Sequence, residues 1–124
     1  MNNSSSILEV NLKNFIHNYK VFKKYIKNKK VAATIKANAY GIGDKKAFGT
    51  LYKNGCRHFF LATLKEGLEL RKFYKKGHIY ILNGLENNDI NIFKINKLIP
   101  ILNSKNELKV FEKIKFKFGI HIDT

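Results

Sequence analysis

Residues 31–44 read VAATIKANAYGIGD, an apolar run that ends at a lysine and leads into a glycine-bearing loop. This pattern predicts a buried strand over residues 31–35, with Lys36 at its carboxyl end and a new helix capped by Asp44. In parallel α/β sheets and barrels, ligands bind at that end of the strands. An amine leaving an apolar strand is partly desolvated, and desolvation favours the neutral, nucleophilic form that Schiff-base chemistry requires. From this spacing alone, a strand-end lysine without a special role remains the commoner alternative.

The loop after Lys36 has two glycines that permit close backbone approach. Gly41 and Gly43 can adopt positive φ angles just before a helix N-terminus, where an anion such as a phosphate can bind. The spacing does not match the GxGxxG dinucleotide motif, and the Gly-Lys-Ser/Thr ending of a Walker A loop is missing. The loop therefore predicts an anion site of neither common nucleotide-binding type.

Short apolar runs recur along the chain with helix-like stretches between them. Besides residues 31–35, strands are predicted at residues 58–62, 78–82, 98–101 and 115–122. Strands that alternate with helices indicate a parallel sheet of the α/β class. A first amphipathic helix precedes them, and residues 7–10 are expected to form a short strand before it.

Several residues mark expected helix ends. Ser104 and Glu107 have the spacing of a capping box. The other predicted boundaries are an N-cap at Asn11, exits at Asn28 with the pair Lys29 and Lys30, at Asn54 with Gly55 and at Gly77, and a start at Asn87 or Asn88.

Composition excludes several classes of protein. The chain has 124 residues, 44% of them hydrophobic, which suits one globular domain and excludes a disordered chain. The net charge of +15 raises nucleic acid as a partner, but every basic residue except Arg57 and Arg71 is a lysine, and the lysines are spread over the whole chain. We therefore expect neither a nucleic-acid nor a membrane partner. A single cysteine, Cys56, and a polar N-terminus favour a cytoplasmic protein without a metal site.

The last predicted strand reaches Ile122, and the sequence stops at Thr124. Five parallel strands with an uncovered face and two open edges make a poor finished domain. A flavodoxin-like sheet needs a helix after its fifth strand, and a (β/α)8 barrel needs three more units. We therefore expect the chain to be the N-terminal piece of a longer protein.

The string from Lys36 to Gly43 resembles the cofactor-lysine signature of alanine racemase. Six consecutive positions and the second glycine match, which makes chance agreement negligible. The resemblance implies an α/β fold in which residues 1–124 form the N-terminal part of a (β/α)8 TIM-type barrel, incomplete as given, without the rest of the barrel or the C-terminal β domain. Further strings that fit the family are residues 8–12, Glu66 with Leu70 and Arg71, residues 81–84 and residues 121–124.

The resemblance also implies a chemistry. Lys36 would carry pyridoxal 5'-phosphate as a Schiff base and act as a base on the α-proton of one alanine enantiomer. Tyr40 would bind the cofactor phosphate, and Asn83 would line the cofactor pocket. The implied enzyme is an isomerase and a homodimer that interconverts L-alanine and D-alanine, supplying D-alanine for peptidoglycan.

This sequence departs from the family pattern at two places. Ile42 replaces the histidine that is common between the two glycines, and His121 stands where some members have a modified lysine that supports a substrate-binding arginine. That arginine, and a catalytic tyrosine that the family supplies from the partner subunit, lie beyond Thr124, so the chain is expected to be inactive alone. Two alternatives remain, a racemase of serine, lysine or a broader set of amino acids, and a truncated, non-catalytic remnant.

Overall fold

The computed structural model describes residues 6–27, 30–85, 90–112 and 114–122. The predicted helix exit at Asn28 and Lys29, the predicted helix start at Asn87 or Asn88, and the last two residues of the 121–124 string lie outside these ranges. In chain order the elements are α1 (Leu12–Tyr25), β1 (Ala32–Thr34), α2 (Lys36–Tyr40), α3 (Asp44–Lys53), β2 (His58–Leu61), α4 (Leu64–Phe73), β3 (His78–Ile81), α5 (Ile90–Ile95), β4 (Leu98–Leu102), α6 (Lys105–Phe111) and β5 (Gly119–Ile120).

The five strands form one parallel sheet in the order β1-β2-β3-β4-β5. Each strand thus lies beside its neighbours in the chain, with an intervening helix, as right-handed crossover connections produce. The register aligns Thr34 with Phe60, Phe60 with Tyr80 and Tyr80 with Ile99. The predicted α/β class with about five parallel strands is confirmed.

One segment expected to be a strand is not one. Residues 7–10 have no regular secondary structure, and the side chains of Ile7 and Leu8 are 92% and 72% exposed. Their apolar character suggested a strand, but no described strand pairs with them. At the other end, β5 has two paired residues although the apolar pattern ran over eight positions.

The core lies between one face of the sheet and the helices. Alternate strand residues such as Phe59 and Ile79 are fully buried and pack with helix residues such as Phe48 and Phe93. The opposite face carries Phe60, Tyr80 and the histidines at the strand starts, which are half-buried or exposed. The helices therefore cover one face of the sheet, and the carboxyl ends of all five strands meet at one edge.

Where the structure describes the helix starts, side-chain caps fix three of them. Asn11 Oδ1 accepts hydrogen bonds from the backbone N–H groups of Lys13 and Asn14 at 3.0 and 3.2 Å, which confirms Asn11 as an N-cap. The predicted capping box of Ser104 and Glu107 is also present. A second box, Thr63 with Glu66, has the same spacing but was not predicted. Helix α4 ends at Phe73, four residues before the predicted exit at Gly77.

Among the helices of the described residues, none combines the length and the apolar character that a bilayer crossing requires.

Candidate active site

Lys36 lies two positions after the end of β1 and stands at the carboxyl edge of the sheet. The last ladder bond before it runs from Ile35 N to Phe60 O at 2.9 Å, and Ile35 itself is 1% exposed. Lys36 is half-buried, and its amine makes no ion pair or hydrogen bond within the described part of the chain. An amine that leaves a buried strand without a carboxylate partner is suited to act as a nucleophile.

The segment after Lys36 is a left-handed helical turn, where the sequence pattern predicted a loop. The φ angles of Ala37, Asn38, Ala39 and Tyr40 are 50°, 54°, 53° and 55°. Asn38 tolerates this region, but each of the other three residues costs about 1–2 kcal/mol there, so the turn stores roughly 3–6 kcal/mol of backbone strain. Alanine has no preference for this conformation, so the turn must be held by contacts from elsewhere in the fold.

One such contact comes from Glu66 in the first turn of α4. Its Oε1 accepts a hydrogen bond from Ala37 N at 2.8 Å, and its Oε2 accepts from Ala62 N at 2.8 Å and from Thr63 N at 3.2 Å. A single half-buried carboxylate therefore joins the residue after Lys36 to the loop after β2. Sequence analysis assigned Glu66 to a family pattern only and did not identify this contact.

Asn38 holds the other end of the turn. Its side-chain Oδ1 accepts from Asp44 N at 3.0 Å, and its backbone carbonyl accepts from Gly43 N at 2.9 Å. Gly43, not Asp44, is the N-cap of α3, and Asp44 Oδ1 accepts from Lys45 N at 2.7 Å. The expected anion position at this helix start is therefore occupied by the protein's own acceptors, because Asn38 and Asp44 already satisfy the first amides.

Tyr40 and Asn83 lie at the same edge as Lys36. Tyr40 is 64% exposed, and its hydroxyl has no hydrogen-bond partner among the described residues. Asn83 follows β3, is exposed, and is fixed by its backbone N–H, which donates to Ala62 O at 2.9 Å. Among the described residues the side-chain donors of Tyr40 and Asn83 have no partner, and the roles of both side chains stay predictions.

A second carboxylate repeats the Glu66 arrangement two strands further on. Glu107 Oε1 accepts from Leu85 N at 2.9 Å, and Oε2 accepts from Asn103 N at 2.6 Å and Ser104 N at 3.0 Å. Gly84 has a φ of 72°, and a Cβ there would overlap Glu107 Oε1. Glycine is therefore required beside Asn83 both by conformation and by the close approach of this carboxylate.

The side chains of Cys56, His58 and His78 lie away from this edge. Cys56 is fully buried and its pKa is raised by burial, which agrees with its expected place in the core. His58 and His78 stack at a ring separation of 4.8 Å at the amino ends of β2 and β3. Burial, and then the positive groups around them, lower the pKa of both histidines. The described residues contain no cluster of three metal-ligating side chains.

Comparison with known proteins adds independent observations. A family model described as alanine racemase, N-terminal domain, matches residues 10–124. Alanine racemase from Rhizobium meliloti is 36% identical over 126 residues, an alignment that covers 98% of this chain and 33% of the relative. The chain therefore spans about a third of the length of this curated relative.

Solved structures show the same fold. The structure of alanine racemase from Bartonella henselae, which has covalently bound pyridoxal phosphate, is 31% identical with a TM-score of 0.76, covering 81% of this chain and 28% of that one. Histidine racemase from Leuconostoc mesenteroides has a TM-score of 0.76 at 21% identity, covering 97% of this chain and 33% of that one. The predicted fold class, the N-terminal portion of a TIM-type barrel, is thereby confirmed. The chain belongs to the alanine racemase family, whose N-terminal domain it matches over nearly its whole length.

Proposed function

We propose that the protein containing this chain interconverts L-alanine and D-alanine with pyridoxal phosphate held on Lys36. The observation that carries the proposal is the position of Lys36, a half-buried residue between β1 and the left-handed turn whose amine has no partner among the described residues. Residues 1–124 then form the N-terminal portion of a barrel domain of a cytoplasmic homodimer that supplies D-alanine for peptidoglycan. The rest of the barrel and a C-terminal domain would complete the enzyme, so the chain alone is expected to be inactive.

The residues at the strand edge fit this cofactor. An aldehyde requires an amine free of ion pairs, and Lys36 has no such partner among the described residues; a phosphate requires hydrogen-bond donors, which the Tyr40 hydroxyl can supply. Around Gly41 and Gly43 a Cβ atom would meet nothing within 4 Å, so there is room for a group next to the turn. The start of α3 does not contribute, because its first amides are already bonded within the chain.

The roles that we propose for this chain's residues come from the family resemblance and are supported by their positions. The bound cofactor supplies an electron-withdrawing ring that makes the α C–H of an amino acid more acidic. Lys36 would hold the cofactor, and its free amine would take the α-proton on its own face. Tyr40 and Asn83 would orient the cofactor by hydrogen bonds. Returning a proton to the opposite face requires a second base, which we assign, from the family resemblance, to a tyrosine of the partner subunit.

Reductive trapping tests the assignment of Lys36. Borohydride reduction of the full-length protein with pyridoxal phosphate should fix one pyridoxyl mass on the peptide that contains Lys36. Lys36→Ala should abolish the label, whereas Lys46→Ala, which removes an exposed lysine of α3, should leave it unchanged. Label on another lysine, or undiminished label in Lys36→Ala, would contradict the proposal.

The amino acid itself is the part of the proposal that the fold supports least. The histidine racemase in the comparison has the same fold, so a racemase of serine, lysine or a broader set is the second candidate. Initial rates of the full-length protein on alanine, serine and lysine separate the two, and the absence of a preference for alanine would reject the first. A non-catalytic remnant would show no racemisation at all; salt-sensitive binding of DNA or RNA in a filter assay would favour that third candidate.

A further inference from the structure

Two carboxylates occupy equivalent places in the sheet, but one of them alone touches the turn that follows Lys36. Glu66 joins the loops after β1 and β2, and Glu107 joins the loops after β3 and β4. We propose that Glu66 is a positioning residue that sets the place of the Lys36 amine by holding the amide of Ala37. This inference rests on the proposed function, in which Lys36 carries the cofactor.

The first step concerns the end of the β1 ladder. Ile35 N donates to Phe60 O, so in a continued parallel ladder Ala37 N would be the next donor toward β2, two residues further along. Ala37 N instead donates to Glu66 Oε1, and the carbonyl of Ala62 accepts from Asn83 N. The carboxylate therefore ends the ladder at Lys36 and diverts the chain away from β2.

The second step concerns the turn itself. Ala37 is the first residue of the left-handed turn, with a φ of 50° and a ψ of 53°. A strained backbone segment persists only where surrounding contacts hold it. Glu66 binds the first residue of the turn, and Asn38 ties the turn to α3. Without the Glu66 contact, the turn can relax toward ordinary dihedral angles, and Lys36 moves with it because the two residues share a peptide bond.

The third step concerns charge. Glu66 accepts from three backbone N–H groups through two oxygens, and hydrogen bonds to an ionised acceptor are roughly twice as strong as neutral ones. A glutamine at this position has one oxygen, and its NH2 group would face an N–H donor. Glu66→Gln therefore removes at least one of the three bonds while keeping the size of the side chain nearly unchanged.

The experiment compares Glu66→Gln with Glu107→Gln in the full-length protein. Both variants disturb a carboxylate that accepts three backbone amides within a capping box, so both are expected to lower the melting temperature. The readout is the rate at which pyridoxal phosphate is captured on Lys36. This rate is measured at a series of cofactor concentrations by quenching samples with borohydride at successive times. A misplaced amine lowers the saturating rate more than the apparent affinity. We expect that rate to fall about tenfold in Glu66→Gln and to stay within about twofold of the parent in Glu107→Gln.

Equal effects of the two substitutions would overturn the positioning role, because a general loss of stability would then explain them. If the unsubstituted protein is not labelled at Lys36, the proposed function fails and the role of Glu66 fails with it. If the parent is labelled at Lys36 but Glu66→Gln and Glu107→Gln do not differ in capture rate, the proposed function stands and the role of Glu66 is rejected.

Should Glu66→Gln fail to fold, Glu66→Asp is the second variant. Its side chain keeps the charge beside the α4 amides but is too short to reach Ala37. It is expected to fold and to show the same slow capture, and parent-like capture by this variant would reject the proposal.

Discussion

Asn103 Oδ1 lies 3.2 Å from Nδ1 of His121, and the rest of the Asn103 amide fixes which atom is the donor. Asn103 Nδ2 donates to Leu82 O at 2.7 Å and to Ile101 O at 3.1 Å. Only the NH2 group of the amide can donate to two carbonyl acceptors, so the amide oxygen of Asn103 faces His121. Because that oxygen is an acceptor, Nδ1 of His121 carries the proton of this hydrogen bond. The Nε2 atom of a neutral His121 is then an acceptor at the strand edge.

We expect this contact to select one tautomer of His121. Nitrogen-15 spectra of the neutral imidazole should show a protonated Nδ1 and an unprotonated Nε2. Asn103→Leu removes the acceptor and should shift His121 toward the Nε2–H form, whereas His17, exposed on α1, should keep its signals in both proteins. Nitrogen shifts of His121 that do not change on substitution would contradict the assigned hydrogen bond.

The strain in the left-handed turn leads to an unusual expectation for a glycine substitution. Glycine adopts positive φ without a Cβ clash, and Ala37 is exposed, so Ala37→Gly loses little packing. It should raise the free energy of unfolding by roughly 0.5–1 kcal/mol, the balance of the strain relieved and the entropy lost. Ala32→Gly, at an exposed β1 position without positive φ, should instead lower it by about 0.5–1 kcal/mol. Urea titration of both variants measures the difference, and destabilisation by both would refute the strain argument.

The difference between these two alanines shows how far the sequence could predict the structure. Ala32 lies in an apolar run whose strand was predicted from local composition, as were the other four strands and the capping box of Ser104 and Glu107. Periodicity and caps depend on near neighbours in the chain, so they can be predicted without a fold. Lys36 was placed at the strand edge by the same reasoning.

Ala37 belongs to the part that could not be predicted. Its conformation depends on Glu66, 29 residues away, and no local pattern of alanine favours a left-handed turn. The start of α3 depends on the same turn, because Asn38 lies within it and accepts from Asp44 N, six residues further on. With the cap at Gly43, this contact removed the expected anion position. Side-chain roles at the edge, including those of Tyr40 and Asn83, depend on a ligand and remain predictions.

Glu107 should make stability depend on pH in the acid range. Burial raises the pKa of this carboxyl, but the hydrogen bonds from Leu85, Asn103 and Ser104 together lower it, so its pKa lies below the ordinary value of 4.5. A lowered folded-state pKa means that the unfolded chain binds the proton more readily. The stabilisation is therefore present above about pH 4.5 and is lost as the pH falls through the folded-state pKa.

Denaturation at a series of pH values between neutrality and acid measures this effect. Glu107→Gln should flatten the acid limb of the stability curve. Glu69 provides a contrast, because its exposed carboxylate pairs with Lys72 on the surface of α4. Salt at about 0.5 M should screen the contribution of Glu69 but leave most of that of Glu107, which rests on short hydrogen bonds. An unchanged acid limb in Glu107→Gln would show that its carboxylate is not held as described.

Arg71 is buried without a carboxylate partner among the described residues. Its guanidinium group donates to the backbone carbonyls of Tyr74, Lys76, Gly77, Asn96 and Lys97, at distances of 2.8 to 3.3 Å. These carbonyls belong to the segments that precede β3 and β4, so one side chain fixes the entry to both strands. Five N–H donors in a fixed planar arrangement match five acceptors, and no other side chain offers that number.

Arg71→Lys should therefore destabilise the protein although the charge is kept. An ammonium group has three donors, so at least two of the five carbonyls lose their hydrogen-bond partner. Each carbonyl that stays buried without a partner lowers the free energy of unfolding by about 1–3 kcal/mol. We expect the free energy of unfolding to fall by about 2–4 kcal/mol in a urea titration. Arg57→Lys is the matched control, because within the described ranges the exposed Arg57 donates to two carbonyls, those of Tyr52 and Cys56, and water can replace it. Arg57→Lys should lower the free energy of unfolding by less than about 1 kcal/mol. Similar losses in the two variants would show that the five-carbonyl arrangement does not hold the starts of β3 and β4.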